Sequence, residues 1–211
     1  MTVAAPSSAS DFRALHTLRE ATAASHARLE TRLGLDADAI GLGRYVALLA
    51  GLHSFLGAWE TQLSAALPPR LRPWFAARSR RPWARHDLAA LGVASAEPGG
   101  AAPSPLPIAL DTLPAVFGSL YVIEGSALGG LRIARQAQSL WGLDATRGAS
   151  YFHGWGAETG PRWRAFCDLL EAEIGPAPPA RAAACAAAVA TFDALDSYFH
   201  RLSRDDDARA A

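Results

Sequence analysis

Apolar side chains recur every three or four residues along most of the chain, and this helical period constrains the fold more than any other feature. In residues 11–33 the recurring positions fill an arc of roughly 120°, the width of a stripe that faces a core. No segment alternates between polar and apolar residues as a half-buried strand would. We expect a loop over 142–160 and helices at about 11–33, 43–67, 112–141, 161–174 and 179–202, with short helical pieces such as 84–91 in the proline-broken stretch 70–107.

The chain of 211 residues is long enough for one compact domain. We expect a single all-α domain over 11–202, a disordered N-terminus over 1–10 and a flexible acidic tail over 203–211. The 20 basic and 20 acidic side chains balance, which argues against a general nucleic-acid binder or a polybasic membrane binder. There is no apolar run of the roughly 18 residues that span a bilayer, and no signal peptide is predicted. Two cysteines, Cys167 and Cys185, are too few for a disulfide scaffold, so a reducing cytoplasmic setting is expected.

His26 lies inside the apolar stripe of the first predicted helix. Such a histidine can simply be buried and satisfied by a hydrogen bond, and this interpretation stays open. Glu30 follows one turn later, where its carboxylate can hold the Nδ1 proton and leave Nε2 free to bind a metal. Arg19 lies on the same face about 10 Å away along the helix axis. Its spacing suits the acidic rim of a large planar ligand.

Gly125, Gly129 and Gly130 fall inside the predicted helix 112–141. Glycine in a helix interior costs roughly 1 kcal/mol relative to alanine, so a group of three needs a reason. One explanation is close packing of two helices. The other is a bent helix whose backbone lies directly against a flat ligand. Together with His26, the second explanation predicts haem between the two helices, with the sixth iron position open to oxygen.

Two segments carry a resemblance to a known family. Residues 18–26 contain Arg19 and His26, and residues 121–130 read Tyr-Val-Ile-Glu-Gly-Ser-Ala-Leu-Gly-Gly. These segments resemble haem oxygenases, and more closely the bacterial forms that accompany bacteriophytochromes. The resemblance covers the whole chain in helix order and length. It implies a single-domain helical bundle with haem between the first helix and a glycine-kinked distal helix.

The resemblance also implies roles for individual residues. His26 matches the iron ligand, Glu30 its hydrogen-bonding carboxylate, and Arg19 a basic residue that pairs with a haem propionate. Gly125, Gly129 and the adjacent Gly130 match the distal backbone that contacts haem. Arg164 falls near a second propionate-binding position, with Arg162 as a competitor. Ser126 stands where the mammalian pattern has an aspartate. Its hydroxyl can hold water but does not match the charge of a carboxylate, so efficient protonation must rely on an extended water chain or another polar group. Gly125, Ser126 and Gly129 are the expected catalytic positions.

The activity implied by the resemblance is oxidative cleavage of haem to biliverdin, carbon monoxide and ferrous iron. Haem would be both substrate and cofactor, and molecular oxygen the co-substrate. Electrons would come from a ferredoxin, a flavodoxin or a reductase. A bacteriophytochrome could accept the biliverdin.

An arginine-rich segment, residues 70–85, is interleaved with Trp74 and Trp83. It is expected to be a solvated surface. The alternative is a docking face for an acidic electron donor.

Two other functions stay open at this point. Asp193, Asp196 and His200 share a helical face and could contribute to a non-haem di-iron site, although the usual Glu-x-x-His pairs are missing. A haem carrier or sensor without turnover would keep His26 and Arg19. It would not need the glycine-rich helix.

Overall fold

The computed structural model describes residues 13–34, 41–93 and 104–210, with side chains described as far as Arg201. In these ranges the chain is helical, with no β-strand. The described residues form eight α-helices: α1 (Arg13–Leu33), α2 (Leu42–Ala66), α3 (Arg72–Ala76), α4 (Arg81–Ala90), α5 (Leu113–Trp141), α6 (Ser150–His153), α7 (Thr159–Ile174) and α8 (Pro178–Ala210). The all-α prediction is confirmed.

Helix α5 is the centre of the bundle. It begins at the N-cap Thr112, whose hydroxyl accepts from the Ala115 N–H at 3.3 Å, and it ends at Gly142, which adopts a left-handed φ of 64°. Both ends agree with the predicted range 112–141. Helices α8, α7 and α6 all pack against α5, and α8 also packs along α1. Helix α8 therefore contacts both α1 and α5, whereas α1 and α5 do not pack closely against each other.

Polar contacts fix the two ends of α1. The carboxylate of Glu171 on α7 accepts hydrogen bonds from the first backbone N–H groups of α1, at Ala14 and Leu15. At the other end the Arg44 guanidinium donates to the carbonyls of Arg32 and Leu33. These bonds satisfy groups that a helix leaves unpaired at its termini, and they set the direction of α1 over the bundle.

The structure differs from the predicted elements in two places. The segment 142–160 contains α6, because the buried carboxylate of Asp87 accepts from the N–H groups of Ser150 and Tyr151 and so caps this short helix. Helix α8 continues to Ala210, beyond the predicted end at 202. The N-terminal segment 1–10 lies outside the described residues.

Candidate active site: a cleft between α1 and α5

A cleft of about 390 Å³ opens between α1 and α5. Its walls are mostly apolar, with Leu29 from α1, Leu48 from α2 and Phe192 from α8 among them. Predicted site residues lie on both sides: Arg19, His26 and Glu30 on α1, and Gly125, Ser126, Gly129 and Gly130 on α5. The structure therefore brings together residues that are about 100 positions apart in the chain.

His26 projects into the cleft from α1. Its side chain is 56% exposed, so it is not the buried, internally satisfied histidine that was one interpretation. The Nδ1 atom lies 3.3 Å from Glu30 Oε2, and the ring packs edge-on against Phe192 at 5.5 Å between centroids. The carboxylate fixes the orientation of the ring, and Nε2 has no hydrogen-bond partner among the described residues. This is the arrangement expected of a metal-binding histidine.

The glycines of α5 have different surroundings. A Cβ added at Gly129 would meet nothing within 4 Å, and one at Gly125 would meet only the Trp163 ring, at 3.6 Å. At Gly130 an added Cβ would lie 3.1 Å from the Phe152 carbonyl oxygen. Gly130 thus allows close packing with α6, whereas Gly129 leaves its space to the cleft.

Two arginines expected on a solvated surface are buried behind α5, and for them the surface prediction is wrong. Arg78 and Glu124 form an ion pair at 2.7 Å in which each side chain is only 7% exposed. Arg80 is 3% exposed and donates from Nη2 to the Ile123 carbonyl and to Ser126 Oγ, both at 2.6 Å. We call the α5 side of the cleft the distal wall. Sequence analysis missed the support that Arg78, Arg80 and Glu124 give to this wall, although Glu124 lies inside the glycine motif.

Cationic side chains surround part of the cleft. Arg19 lines it as expected, and so do Arg132 and Arg135 of α5, which the sequence analysis did not select. The sequence could have indicated Arg132, because Ser126, Gly129 and Arg132 follow one another at three-residue spacing and so lie near one another on the helix surface. Arg164 is exposed on α7 and does not line the cleft.

Arg162, the competitor of Arg164 for a propionate, also lies outside the cleft lining. Its guanidinium packs over the Trp155 ring at 5.0 Å, and its carbonyl accepts from Arg78.

The acidic face of α8 forms ion pairs with α1. Asp193 accepts from Arg28 at 2.6 Å, and Asp196 accepts from Arg32. His200 Nδ1 lies 3.1 Å from the same Arg32 guanidinium. No group of three or more potential metal ligands occurs in the described part of the chain. The di-iron alternative is therefore not supported.

Neither cysteine lies in the cleft. Burial raises the pKa of the Cys167 thiol to about 11, and burial also raises the pKa of Cys185. Both are free thiols with little thiolate character, which is unsuited to nucleophilic catalysis.

The cleft fits haem in three respects. It is apolar enough for a porphyrin, it offers an oriented histidine to the iron, and it has an opposite wall where glycine leaves room for a flat ring. The arginines at its margin suit propionates.

The fold and the cleft together define a helical bundle suited to holding a flat iron macrocycle between a histidine helix and a glycine helix. The NO- and CO-bound haem oxygenase from Neisseria meningitidis has this fold, with a TM-score of 0.67, 24% sequence identity and 92% of each chain covered. No protein-family model matches the chain.

A haem oxygenase from Xanthomonas campestris pv. campestris (strain 8004) is 34% identical over 166 residues, which are 79% of this chain and 89% of the relative. The chain belongs to the haem oxygenase family. The family resemblance is confirmed, whereas its bacteriophytochrome-associated subtype stays a prediction. None of the helices in the described ranges is long and apolar enough to cross a bilayer.

Proposed function

We propose that this protein cleaves haem oxidatively to biliverdin, carbon monoxide and ferrous iron, using molecular oxygen and external electrons. One observation carries the proposal: the cleft sets His26, with Nδ1 held by Glu30, opposite a glycine wall that leaves room for a ring. Haem is the substrate, and when bound it also supplies the iron chemistry that activates oxygen.

On the α1 side, His26 binds the iron through Nε2, and Glu30 orients it. A neutral imidazole whose Nδ1 proton is held by a carboxylate is a stronger donor than a free one. Glu30 is 42% exposed, so its contribution is orientation and basicity more than buried charge.

On the α5 side, the backbone at Gly125 and Gly129 lines the cleft and would limit the space above one face of a bound ring. Gly130 lets α5 approach α6 closely, so that this wall stays in place. Ser126 supplies a hydroxyl that can hold water for proton delivery.

The carboxylates of haem require cations at the cleft margin. Arg19 is proposed to bind one propionate, as its position in the lining supports. Arg164 stays a predicted partner of the second propionate, and Arg132 and Arg135 compete with it because they line the cleft.

The electron donor is proposed to be a ferredoxin, a flavodoxin or a reductase, and a bacteriophytochrome is a proposed acceptor of biliverdin. The docking-face interpretation of the arginine-rich segment applies only to its exposed members, since Arg78 and Arg80 are buried. A cytoplasmic setting is part of the proposal, and the two free cysteines suit a reducing compartment.

The test compares His26→Ala with His16→Ala. His16 is a matched control, because its Nε2 lies 3.3 Å from Glu20 in the same four-residue spacing on α1, yet it does not line the cleft. With hemin, ascorbate and air, the wild type and His16→Ala should lose the Soret band and gain a biliverdin absorption. His26→Ala should do neither, and added imidazole should restore part of the haem spectrum.

A Soret band that persists in the reduced, aerated wild type would identify a haem carrier instead. If the Soret band of hemin does not change when the protein is added, before any reductant, haem binding is contradicted altogether. Equal turnover by His26→Ala would show that His26 is not the iron ligand.

A further inference from the structure

Arg78 and Arg80 are two residues apart and both buried, yet only Arg78 has a carboxylate partner in the described part of the chain. Arg78 is neutralised by Glu124 in a two-bond ion pair. Arg80 forms no salt bridge within the described part of the chain, and its partners are a carbonyl and a hydroxyl of α5. A buried cation without a carboxylate is costly, so its position behind the cleft wall calls for an explanation.

The hydrogen bonds around Ser126 have a fixed direction. The hydroxyl donates its single proton to the Ile123 carbonyl at 2.7 Å, and it accepts from Arg80 Nη2 at 2.6 Å. A hydroxyl has one proton and two lone pairs, so Ser126 Oγ has one lone pair left. Because Ser126 is exposed to the cleft, that lone pair can only accept a hydrogen bond from something bound there.

Two aromatic rings and one carboxylate lie around Arg80, and none of them forms a salt bridge with it in the described part of the chain. The guanidinium carbon lies 4.8 Å from the centre of the Tyr151 ring and 5.8 Å from that of Trp155. The carboxylate of Glu60 on α2 interacts electrostatically with Arg80. Burial raises the pKa of Glu60, and its hydrogen bond with Ser79 and the charges of Arg81 and Arg80 oppose that rise. In this low-dielectric layer, a cation exerts a stronger field than it would in water.

We propose that Arg80 is a positioning residue of the distal wall: it locks Ser126 as a hydrogen-bond acceptor and gives this side of the cleft a positive potential. The inference deepens the proposed haem oxygenase function and rests on it. Where the mammalian pattern has an aspartate, this chain has a neutral acceptor backed by a cation. A water molecule held here donates to Ser126, and negative charge that develops on the distal side is stabilised by Arg80.

Carbon monoxide bound to ferrous haem is the probe. A positive potential near its oxygen increases electron donation from iron into the antibonding orbital of carbon monoxide, and this lowers the stretching frequency. Arg80→Met should therefore raise the infrared stretching frequency, and Arg80→Lys should return it toward the wild-type value. A purely structural role would not produce this charge-dependent order.

The control is the double variant Arg78→Met with Glu124→Leu. It alters the same buried layer but removes one positive and one negative charge together. Its stretching frequency should stay close to that of the wild type.

A double-mutant cycle tests whether Arg80 acts partly through the hydroxyl. Ser126→Ala removes the hydroxyl, and the effect of Arg80→Met in that background should be smaller than in the wild type. Ser126→Asp provides a second route if Arg80→Met does not fold, since a carboxylate beside Arg80 cancels its field and should also raise the frequency.

The haem absorption spectrum tests the proposed function, whereas the carbon monoxide stretching frequency tests the role of Arg80. An intact histidine-ligated Soret spectrum with unchanged frequencies in Arg80→Met and Ser126→Asp would overturn the role of Arg80 alone. Failure of the wild type to bind haem would overturn the proposed function beneath it.

Discussion

The two halves of α5 use the same residue, glycine, for opposite purposes. In the first half, a Cβ at Gly118 would lie 1.9 Å from the Ala184 carbonyl oxygen of α8. The neighbouring Ser119 hydroxyl is buried between Trp59 and Thr191. In the second half, a Cβ at Gly129 would meet nothing within 4 Å. Gly118 thus allows α8 to pack closely against α5, whereas Gly129 leaves open space in the cleft.

The comparison shows that a glycine-rich helix has to be interpreted position by position. Close helix packing explains Gly118 and Gly130, and space for a ligand explains Gly129. The first half is stabilised by direct contact with α8. The cleft-lining part of α5 begins before its midpoint, and it is supported from behind by Arg78 at Glu124 and by Arg80 at Ile123.

The largest effect is expected from Gly118→Val. Its side chain would overlap the backbone of α8, so that the two central helices must separate. We expect a loss of more than ~4 kcal/mol in the free energy of unfolding, which belongs to the exceptional class of single substitutions. Urea unfolding followed by circular dichroism measures this loss. Stability within about 1 kcal/mol of the wild type would contradict the packing role of Gly118.

Arg78→Met tests the support of α5 behind the cleft. It leaves the Glu124 carboxylate buried and unpaired, and we expect a loss of about 3 kcal/mol in the free energy of unfolding. Adding Glu124→Leu should recover most of that loss, because both charges are then absent. If the single variant were as stable as the wild type, the ion pair would not hold this part of α5.

Gly129→Ala separates folding from binding. Alanine favours the helix by up to about 1 kcal/mol, and the space around it is open, so the apoprotein should become slightly more stable. Hemin affinity should fall about tenfold, or about 1.4 kcal/mol, because the methyl group occupies the cleft. Hemin titration and thermal unfolding measure the two effects. Unchanged affinity would mean that the ring does not reach Gly129.

The smallest effect is expected from Asp193→Asn. The Arg28–Asp193 pair is about half exposed on both sides, so its loss should cost roughly 0.5 kcal/mol. Hemin binding should be unchanged, in contrast to Gly129→Ala. Absorption titration and metal analysis of the purified variant check both points, and a loss of bound iron in this variant would revive the di-iron alternative.

Local periodicity was sufficient to predict most of the fold. The spacing of apolar residues placed α1, α2, α5 and α7 within a few residues of their bounds, and it put His26 and Glu30 on one face. A helical face is a local property, so it can be predicted from residues three and four apart.

The supports of the distal wall could not be predicted in this way. Arg78 and Arg80 lie in an irregular segment whose contacts reach α5 across more than 40 residues, and no periodicity encodes such a contact. The position of Arg164 outside the cleft lining could not be predicted for a related reason. It is next to Trp163, which lines the cleft, but adjacent helical positions point about 100° apart.

The most direct test of the account is a crystal structure of the hemin complex. It should place the iron within bonding distance of His26 Nε2, roughly 2.0–2.1 Å if it resembles other histidine–metal bonds. The opposite ring face should lie on the backbone at Gly125 and Gly129. Haem bound outside this cleft, or ligated by another residue, would contradict the account.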